Sequence, residues 1–160
     1  RAHHGFGMKV LFHDPFPPSP QEAAALGAEG LGSLEEVLDR SDFVSLHCPA
    51  TPETRHLMNA ERFGRMRKSA FLVNTARGDV VDEAALADAL ERGHLAGAGL
   101  DVYEREPEAH EGLLGLENVV LAPHLGSATR DTRIAMGMLC VSALRAVLLE
   151  GRTPSNVVSR

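Results

Sequence analysis

The 160-residue sequence contains no tryptophan, one tyrosine and two cysteines, and aromatic side chains make up only 4% of it. It holds no uninterrupted apolar run near the roughly 18 residues that mark a membrane-spanning helix, so no membrane contact is expected. Nothing at its start reads as a secretory signal. Basic residues are outnumbered: 16 Lys and Arg against 22 Asp and Glu leave a net charge of −6. Phosphate binding needs clustered cations, so a nucleic-acid surface is not the expected role. Cys48 and Cys140 lack metal-ligand spacing, which leaves a reduced, cytoplasmic setting as the simpler reading. His3 and His4 are neighbours at a predicted helix C-terminus, where they suit the macrodipole without any metal. There is no low-complexity stretch and no internal repeat. What remains, 44% hydrophobic and 24% charged residues, is the composition of an ordinary globular chain long enough for one domain with its own core.

A phosphate-cradling glycine loop is also lacking. That fingerprint requires a strand, then the glycines, then a helix. Gly97 and Gly99 lie inside a strand pattern instead of following it. Gly5-Phe6-Gly7 precedes a strand and reads as a helix-to-strand turn.

Strands are expected at Met8–His13, at Ala28–Leu31 as a brief edge strand, at Phe43–Leu46, at Ala70–Val73 with buried character, at Ala96–Leu100 and at Asn118–Leu121. Between them lie helical segments. Gln21–Leu26 is short. Ser33-Leu34-Glu35-Glu36 has the S-x-x-E spacing of a capping box and starts a helix that ends near Arg40. Asn59–Met66 is a turn or two. Asp82 caps a helix running through Arg92, with Val81 and Leu86 as a hydrophobic staple and Gly93 as its left-handed stop. Glu104–Gly115 is acidic and irregular. A long helix follows, roughly Asp131–Glu150, with Ile134, Met138, Val141, Leu144 and Leu148 spaced for one apolar face, and Gly151 ends it. This alternation predicts an α/β fold, a doubly wound parallel sheet of Rossmann type.

In such a sheet ligands sit outside the carboxyl ends of the strands. Asp14, Arg77, Asp101 and His124 all follow strand ends and should gather on one edge. Arg77, at the head of a polar turn after Val73-Asn74-Thr75-Ala76, has a planar fork suited to a carboxylate; alone, it reads equally as a surface charge. Asp14 is placed to accept hydrogen bonds from ribose hydroxyls and to repel the extra phosphate of NADP; its alternative is to start the turn with Pro15. His47-Cys48-Pro49 and the polar loop Ala50–Arg55 form a candidate ligand wall or an ordinary connection. Three groups could share chemistry: Arg77 as a cation, His124 as a proton carrier and Glu106 as a carboxylate able to hold the imidazole in its charged form. Otherwise Glu106 belongs to a solvated acidic loop and His124 to a turn after Pro123.

Four ordered blocks turn these candidates into a resemblance. Val73-Asn74-Thr75-Ala76-Arg77-Gly78, Ala98-Gly99-Leu100-Asp101-Val102-Tyr103 leading to Glu106-Pro107, Pro123-His124-Leu125-Gly126-Ser127-Ala128-Thr129, and His47-Cys48-Pro49 with Thr51-Pro52-Glu53-Thr54 resemble the signature blocks of the D-isomer-specific 2-hydroxyacid dehydrogenases. The ending with Thr132-Arg133 and Met136-Gly137 looks most like the glyoxylate and hydroxypyruvate reductase branch. The resemblance implies reduction of a small 2-oxo acid to the D-2-hydroxy acid with NAD, NADP being disfavoured by Asp14. It implies His124 as acid/base, Glu106 as its partner and Arg77 as substrate anchor. Asp14 would hold the ribose. Cys48, Pro49, Thr75, Ala76, Arg77 and Asp101, with the backbone from His124 through Gly126 to Ser127, would line the cofactor. A homodimer is implied as well. The same family includes NAD-sensing corepressors, an alternative that Arg77, Glu106 and His124 do not separate, although Gly126-Ser127-Ala128-Thr129 favours the enzyme. An inactive fragment is the third reading.

On this resemblance residues 1–150 form most of one dinucleotide-binding domain, and 151–160 a tail returning to a substrate domain. The first strand, the glycine loop and the substrate domain are expected upstream of Arg1. The first strand of this fold is central, so without it the sheet should show a gap, unpaired edges and exposed apolar faces. Expressed alone, these 160 residues are therefore expected to aggregate or melt without cooperativity and to turn over no 2-oxo acid. A cooperatively melting, monodisperse sample that reduces glyoxylate would overturn that expectation.

Overall fold

A five-residue helix, α1 (Ala2–Phe6), ends on Gly7, whose φ of +65° is a conformation glycine adopts without steric cost. In this computed structural model, which describes residues 2–157, β1 then spans Val10–Phe12. It is shorter than the expected Met8–His13 because the chain turns at Asp14 towards Pro15, Pro17 and Pro18, none of which can donate to a ladder. Ser19 starts α2 (Pro20–Ala25) with a capping box: its hydroxyl accepts the Glu22 amide at 3.3 Å, and Glu22 accepts the Ser19 amide at 2.9 Å. β2 (Ala28–Gly30) pairs in parallel with β1.

The next helix, α3 (Leu34–Arg40), is capped by Ser33, which accepts the Glu36 amide at 3.2 Å. The expected reciprocal bond differs by one residue: Glu36 accepts from the Gly32 amide at 3.2 Å and not from that of Ser33. β3 (Phe43–Leu46), α4 (Ala60–Arg65, capped by Asn59), β4 (Phe71–Asn74), α5 (Glu83–Glu91), β5 (Gly97–Leu100) and β6 (Val119–Leu121) complete the first unit. The four later strands form one parallel sheet in the order β3-β4-β5-β6, separate from the β1-β2 pair. The expected gap is therefore present: among the described residues β1 pairs with β2 and β3 with β4, and no ladder joins β1 to β3.

One face of the four-stranded sheet is buried. Val44, Leu46, Leu72, Ala98 and Leu100 share a core with Phe63 of α4 and with Leu86 and Leu90 of α5. The opposite face is open at β3 and β4. Phe43 and Phe71 stack at 5.3 Å between ring centroids and are 58% and 40% exposed. The strand read as continuously buried is thus buried only at alternate positions, because successive side chains point to opposite faces and only one face is covered.

Asp82 accepts the Ala85 amide at 2.9 Å and caps α5. The staple residues Val81 and Leu86 are both fully buried, and Gly93 has φ +66°. After β5 the chain is tied to the end of β6 by Tyr103, whose buried hydroxyl donates to the Ala122 carbonyl at 2.8 Å.

Contacts divide the chain into two units, Arg1–Pro123 and His124–Arg160, and the second holds the long helix. That helix, α6 (Arg130–Leu148), is capped by Thr129 accepting the Thr132 amide at 3.2 Å. Its expected apolar stripe exists but is not covered. Ile134, Met138, Val141, Leu144 and Leu148 are all more than half exposed, and Ala146 is the buried residue of the helix. Among the described residues no helix is long and apolar enough to cross a membrane.

Burial pushes the Tyr103 phenol above its usual range, and the nearby carboxyls of Asp101, Glu83 and Glu106 push the same way. A raised folded value means that this contribution to stability is intact below the ordinary phenol range and is lost as pH rises through the raised value. Tyr103 is the only tyrosine and there is no tryptophan, so near-ultraviolet absorbance follows this one phenol. Its ionisation in the folded chain is expected at higher pH than in the denatured chain. Coincident titrations would contradict the burial. In the chain as encoded in its gene, with any segment that precedes Arg1, the core substitution Leu86→Ala is expected to cost about 2 to 5 kcal/mol by denaturant unfolding, from lost burial plus the cavity left behind.

Candidate active site

Because β3, β4 and β5 run parallel and in register, their carboxyl ends share one edge. His47-Cys48-Pro49 leaves β3 there, Thr75-Ala76-Arg77 leaves β4, and Asp101 leaves β5. Cys48 is half-buried, and burial pushes its thiol up, so it presents a neutral, apolar wall at neutral pH. Pro49, Thr75 and Arg77 are exposed, while Ala76 and Asp101 are partly buried.

The turn that carries Arg77 is clamped from below by a residue that sequence reasoning passed over. Asn74 is completely buried. Its amide nitrogen donates to the Arg77 carbonyl at 2.9 Å, and its oxygen accepts the Ala76 amide at 3.0 Å. One side chain therefore closes both ends of the turn, and the buried polar group is satisfied as it must be. The Arg77 guanidinium folds back on this turn, with Nη1 donating to the Ala76 carbonyl at 2.6 Å. A guanidinium carries five N–H donors, so that bond leaves its fork able to take a carboxylate.

Gly78 is what lets the next loop approach. A Cβ built on it would lie 1.9 Å from the carbonyl carbon and oxygen of Tyr103 and 2.4 Å from the Glu104 nitrogen. No side chain fits, and the backbone after β4 lies directly against the backbone after β5. Tyr103 in turn donates its amide to Glu106 Oε1 at 3.4 Å. The structure thus brings the loops of Arg77 and Glu106 together within the first unit. Glu106 is exposed and precedes a cis peptide bond to Pro107.

The Glu106 loop is anchored by two further groups that the sequence did not single out. Glu83, at the first position of α5 and only 3% exposed, accepts the Glu104 amide at 2.7 Å and the His110 amide at 2.9 Å. His56 lies with Nε2 against the Glu104 carboxyl and with Nδ1 3.9 Å from Asp82. Its backbone is in the left-handed region at φ 48°, and its amide donates to the Asp79 carbonyl at 2.7 Å. The only hint of Glu83 in the sequence was an acidic residue directly after a helix cap, which ordinarily means a solvated first turn.

Asp14 stands two residues after β1, exposed, with Oδ1 accepting the Phe16 amide at 2.8 Å. It therefore does start a turn, as the alternative reading held. A carboxylate has about four lone-pair sites, so the turn bond orients the group without exhausting it. His124 opens the second unit with φ 54°, in a backbone region that non-glycine residues adopt at a cost of order 1 kcal/mol and that recurs at functional sites. Gly126 and Ser127 follow in an exposed turn in which the Ala128 amide donates to the Leu125 carbonyl at 2.9 Å. Among the described residues no cluster of three or more His, Cys, Asp or Glu side chains is arranged to hold a metal ion.

Comparison with known proteins places the chain in a family. Residues 1–126 match the family model of the D-isomer specific 2-hydroxyacid dehydrogenase NAD binding domain. A glyoxylate reductase of Thermococcus kodakarensis is 48% identical over 160 residues, which is 100% of this chain and 47% of that protein. The chain spans about half the length of the glyoxylate reductases it matches. Among solved structures, holo D-mandelate dehydrogenase from Rhodotorula graminis superposes with a TM-score of 0.86 at 38% identity, over 99% of this chain and 47% of that one. An NADPH-dependent glyoxylate/hydroxypyruvate reductase from Sinorhizobium meliloti, in complex with NADP and malonate, gives 0.84 at 37% identity, over 96% and 46%. The sheet of parallel strands with its loops at the carboxyl edge is Rossmann-like, and the chain belongs to the D-isomer-specific 2-hydroxyacid dehydrogenases, whose NAD-binding domain it matches.

Proposed function

We propose that this chain supplies the nucleotide-binding and proton-transferring half of an oxidoreductase that reduces a small 2-oxo acid, glyoxylate or hydroxypyruvate, to the D-2-hydroxy acid. The observation that carries the reading is the pair of backbones locked together at Gly78, which lays the loop of a carboxylate-binding cation against the loop of Glu106. Family membership and the glyoxylate reductase relatives support the substrate class.

In this reading Arg77 takes the substrate carboxylate in its fork and orients the keto group. The hydride for the carbonyl carbon would come from a reduced nicotinamide held at this edge. His124, protonated, gives its proton to the carbonyl oxygen, which becomes the hydroxyl, and the ring is left neutral. Glu106 is assigned by the resemblance as the carboxylate partner in this reaction. Asp14, held by its turn bond to Phe16, accepts from the ribose hydroxyls, and its charge disfavours a 2′-phosphate. Cys48, Pro49, Thr75, Ala76, Asp101, Gly126 and Ser127 line the nicotinamide half. Residues 1–150 belong to the dinucleotide-binding domain and 151–160 lead out of it, in a homodimer. NAD is the proposed cofactor, against the NADP bound by the Sinorhizobium protein, because Asp14 follows β1.

The test uses the chain as encoded in its gene, with any segment that precedes Arg1. NADH and NADPH are titrated, and glyoxylate, hydroxypyruvate and phosphohydroxypyruvate are then assayed. The expected outcome is NADH bound more tightly than NADPH and turnover of at least one of the first two acids. His124→Gln should lower kcat about 10²- to 10⁴-fold, the range of a lost general acid. Arg77→Gln should act mainly on KM. Tight NADH binding with no turnover of any acid would replace this reading with a cofactor-sensing role.

A further inference from the structure

Glu83 stands out because a carboxyl group has been taken almost wholly out of water, at 3% exposure, in a position where helices usually keep acids in solvent. Burying such a group is unfavourable unless both oxygens are satisfied. Here each oxygen has one donor, and both donors are backbone amides of the same loop: Oε1 accepts from Glu104 at 2.7 Å, and Oε2 accepts from His110 at 2.9 Å. The cap of α5 is supplied by its neighbour Asp82, so the helix itself does not need Glu83 for that purpose.

The two amides bracket the segment that carries Glu106. Within the bracket the chain makes a single bridge, with the Glu108 amide donating to the Arg105 carbonyl at 2.9 Å. At its head, Tyr103 both abuts Gly78 and donates its amide to Glu106. An exposed, acid-rich segment of this kind has little apolar burial to hold it, and ordering it costs conformational entropy at every residue. Two charge-assisted bonds from one rigid helix position offset that cost at the two points where the loop leaves and rejoins the unit.

We propose that Glu83 is a positioning residue for the reaction: a two-pronged staple that fixes both ends of the Glu104–His110 loop and so sets where Glu106 stands. This rests on the reading of Glu106 given above and deepens it. Glu83 itself touches neither substrate nor cofactor; it acts through the loop. Glutamine at this position keeps the size but presents one carbonyl oxygen and one NH₂, so it can accept from one amide and must oppose the other.

The experiment is a double-mutant cycle on the chain as encoded, with Glu83→Gln, Glu106→Gln and the pair. Hydrogen exchange is read over residues 104–110, with kcat and the Kd for NADH. Glu83→Gln is expected to speed exchange across that segment and to lower kcat about tenfold while NADH affinity changes less than about twofold. In the Glu106→Gln background it should lower kcat by less than about twofold, since residues acting through one another are not additive. A purely structural contribution would multiply through both backgrounds. If Glu83→Gln fails to fold, His110→Pro removes one donor at a residue whose φ is already −59°, a value proline adopts, and should loosen the same segment. Unchanged exchange over 104–110 in whichever variant folds, or a full tenfold loss on top of Glu106→Gln, overturns the staple. An unsubstituted chain that reduces no 2-oxo acid would sink the functional reading alone, and exchange would then decide the staple by itself.

Discussion

The contact between Gly78 and Tyr103 is the constraint on which the rest of the carboxyl edge of the sheet depends. With a Cβ excluded at 1.9 Å, the turn after β4 and the loop after β5 approach as bare backbone, closer than side chains would allow. Each partner is fixed independently behind that contact. Asn74 clamps the first from the end of its strand. Tyr103 is held by its hydroxyl to the end of β6. Two segments separated by an entire helix and strand thus meet with little freedom left, which is what a site needs if reacting groups are to be held within fractions of an ångström.

The core's polar members follow the same logic. Among the described residues the buried polar or charged side chains are Asn74 and Glu83, and both bond to backbone amides of the loops at the carboxyl edge, Asn74 also to a backbone carbonyl. Neither stabilises the sheet directly. An apolar residue of similar volume at either place would avoid the desolvation cost, but it would leave the Ala76, Glu104 and His110 amides without these partners. Stability gained in the core would then be lost in the definition of the edge, the usual tension between a well-packed interior and a built site.

Local signals made much of the fold legible, and long-range ones did not. Asp82, Val81, Leu86 and Gly93 announce α5 because caps, staples and left-handed stops act within a few residues. Proline after Asp14 and the capping spacing at Ser33 work in the same way. The division of the sheet followed from the resemblance and strand order. By contrast, Glu83 looked like any first-turn acid, since its partners lie more than twenty positions on. Asn74 looked like the start of a loop, because nothing in Val73-Asn74-Thr75 says that its side chain turns inward. Arg77 and His124 were visible as residue types placed after strands; their candidate roles came from side-chain chemistry and were sharpened by the resemblance, not by periodicity.

Hydrophobic pattern also proved ambiguous in a specific way. Phe71-Leu72-Val73 and the stripe Ile134, Met138, Val141, Leu144 and Leu148 both have the composition of buried surface, yet β4 is buried only at alternate positions and the stripe is more than half exposed. Patterning reports which face of an element is apolar; it is silent on whether that face is covered by the same unit. In β4 the covered side is Leu72, packed with α4 and α5, and the stacked ring of Phe71 lies on the other. Among the described residues of the second unit no further helix or strand is present to lay against the stripe of α6. Apolar patches this continuous mark contact surfaces in folded proteins more often than they mark tolerated exposure. The same reasoning that reads a helix from its period therefore leaves its partner to be identified from chemistry outside that period.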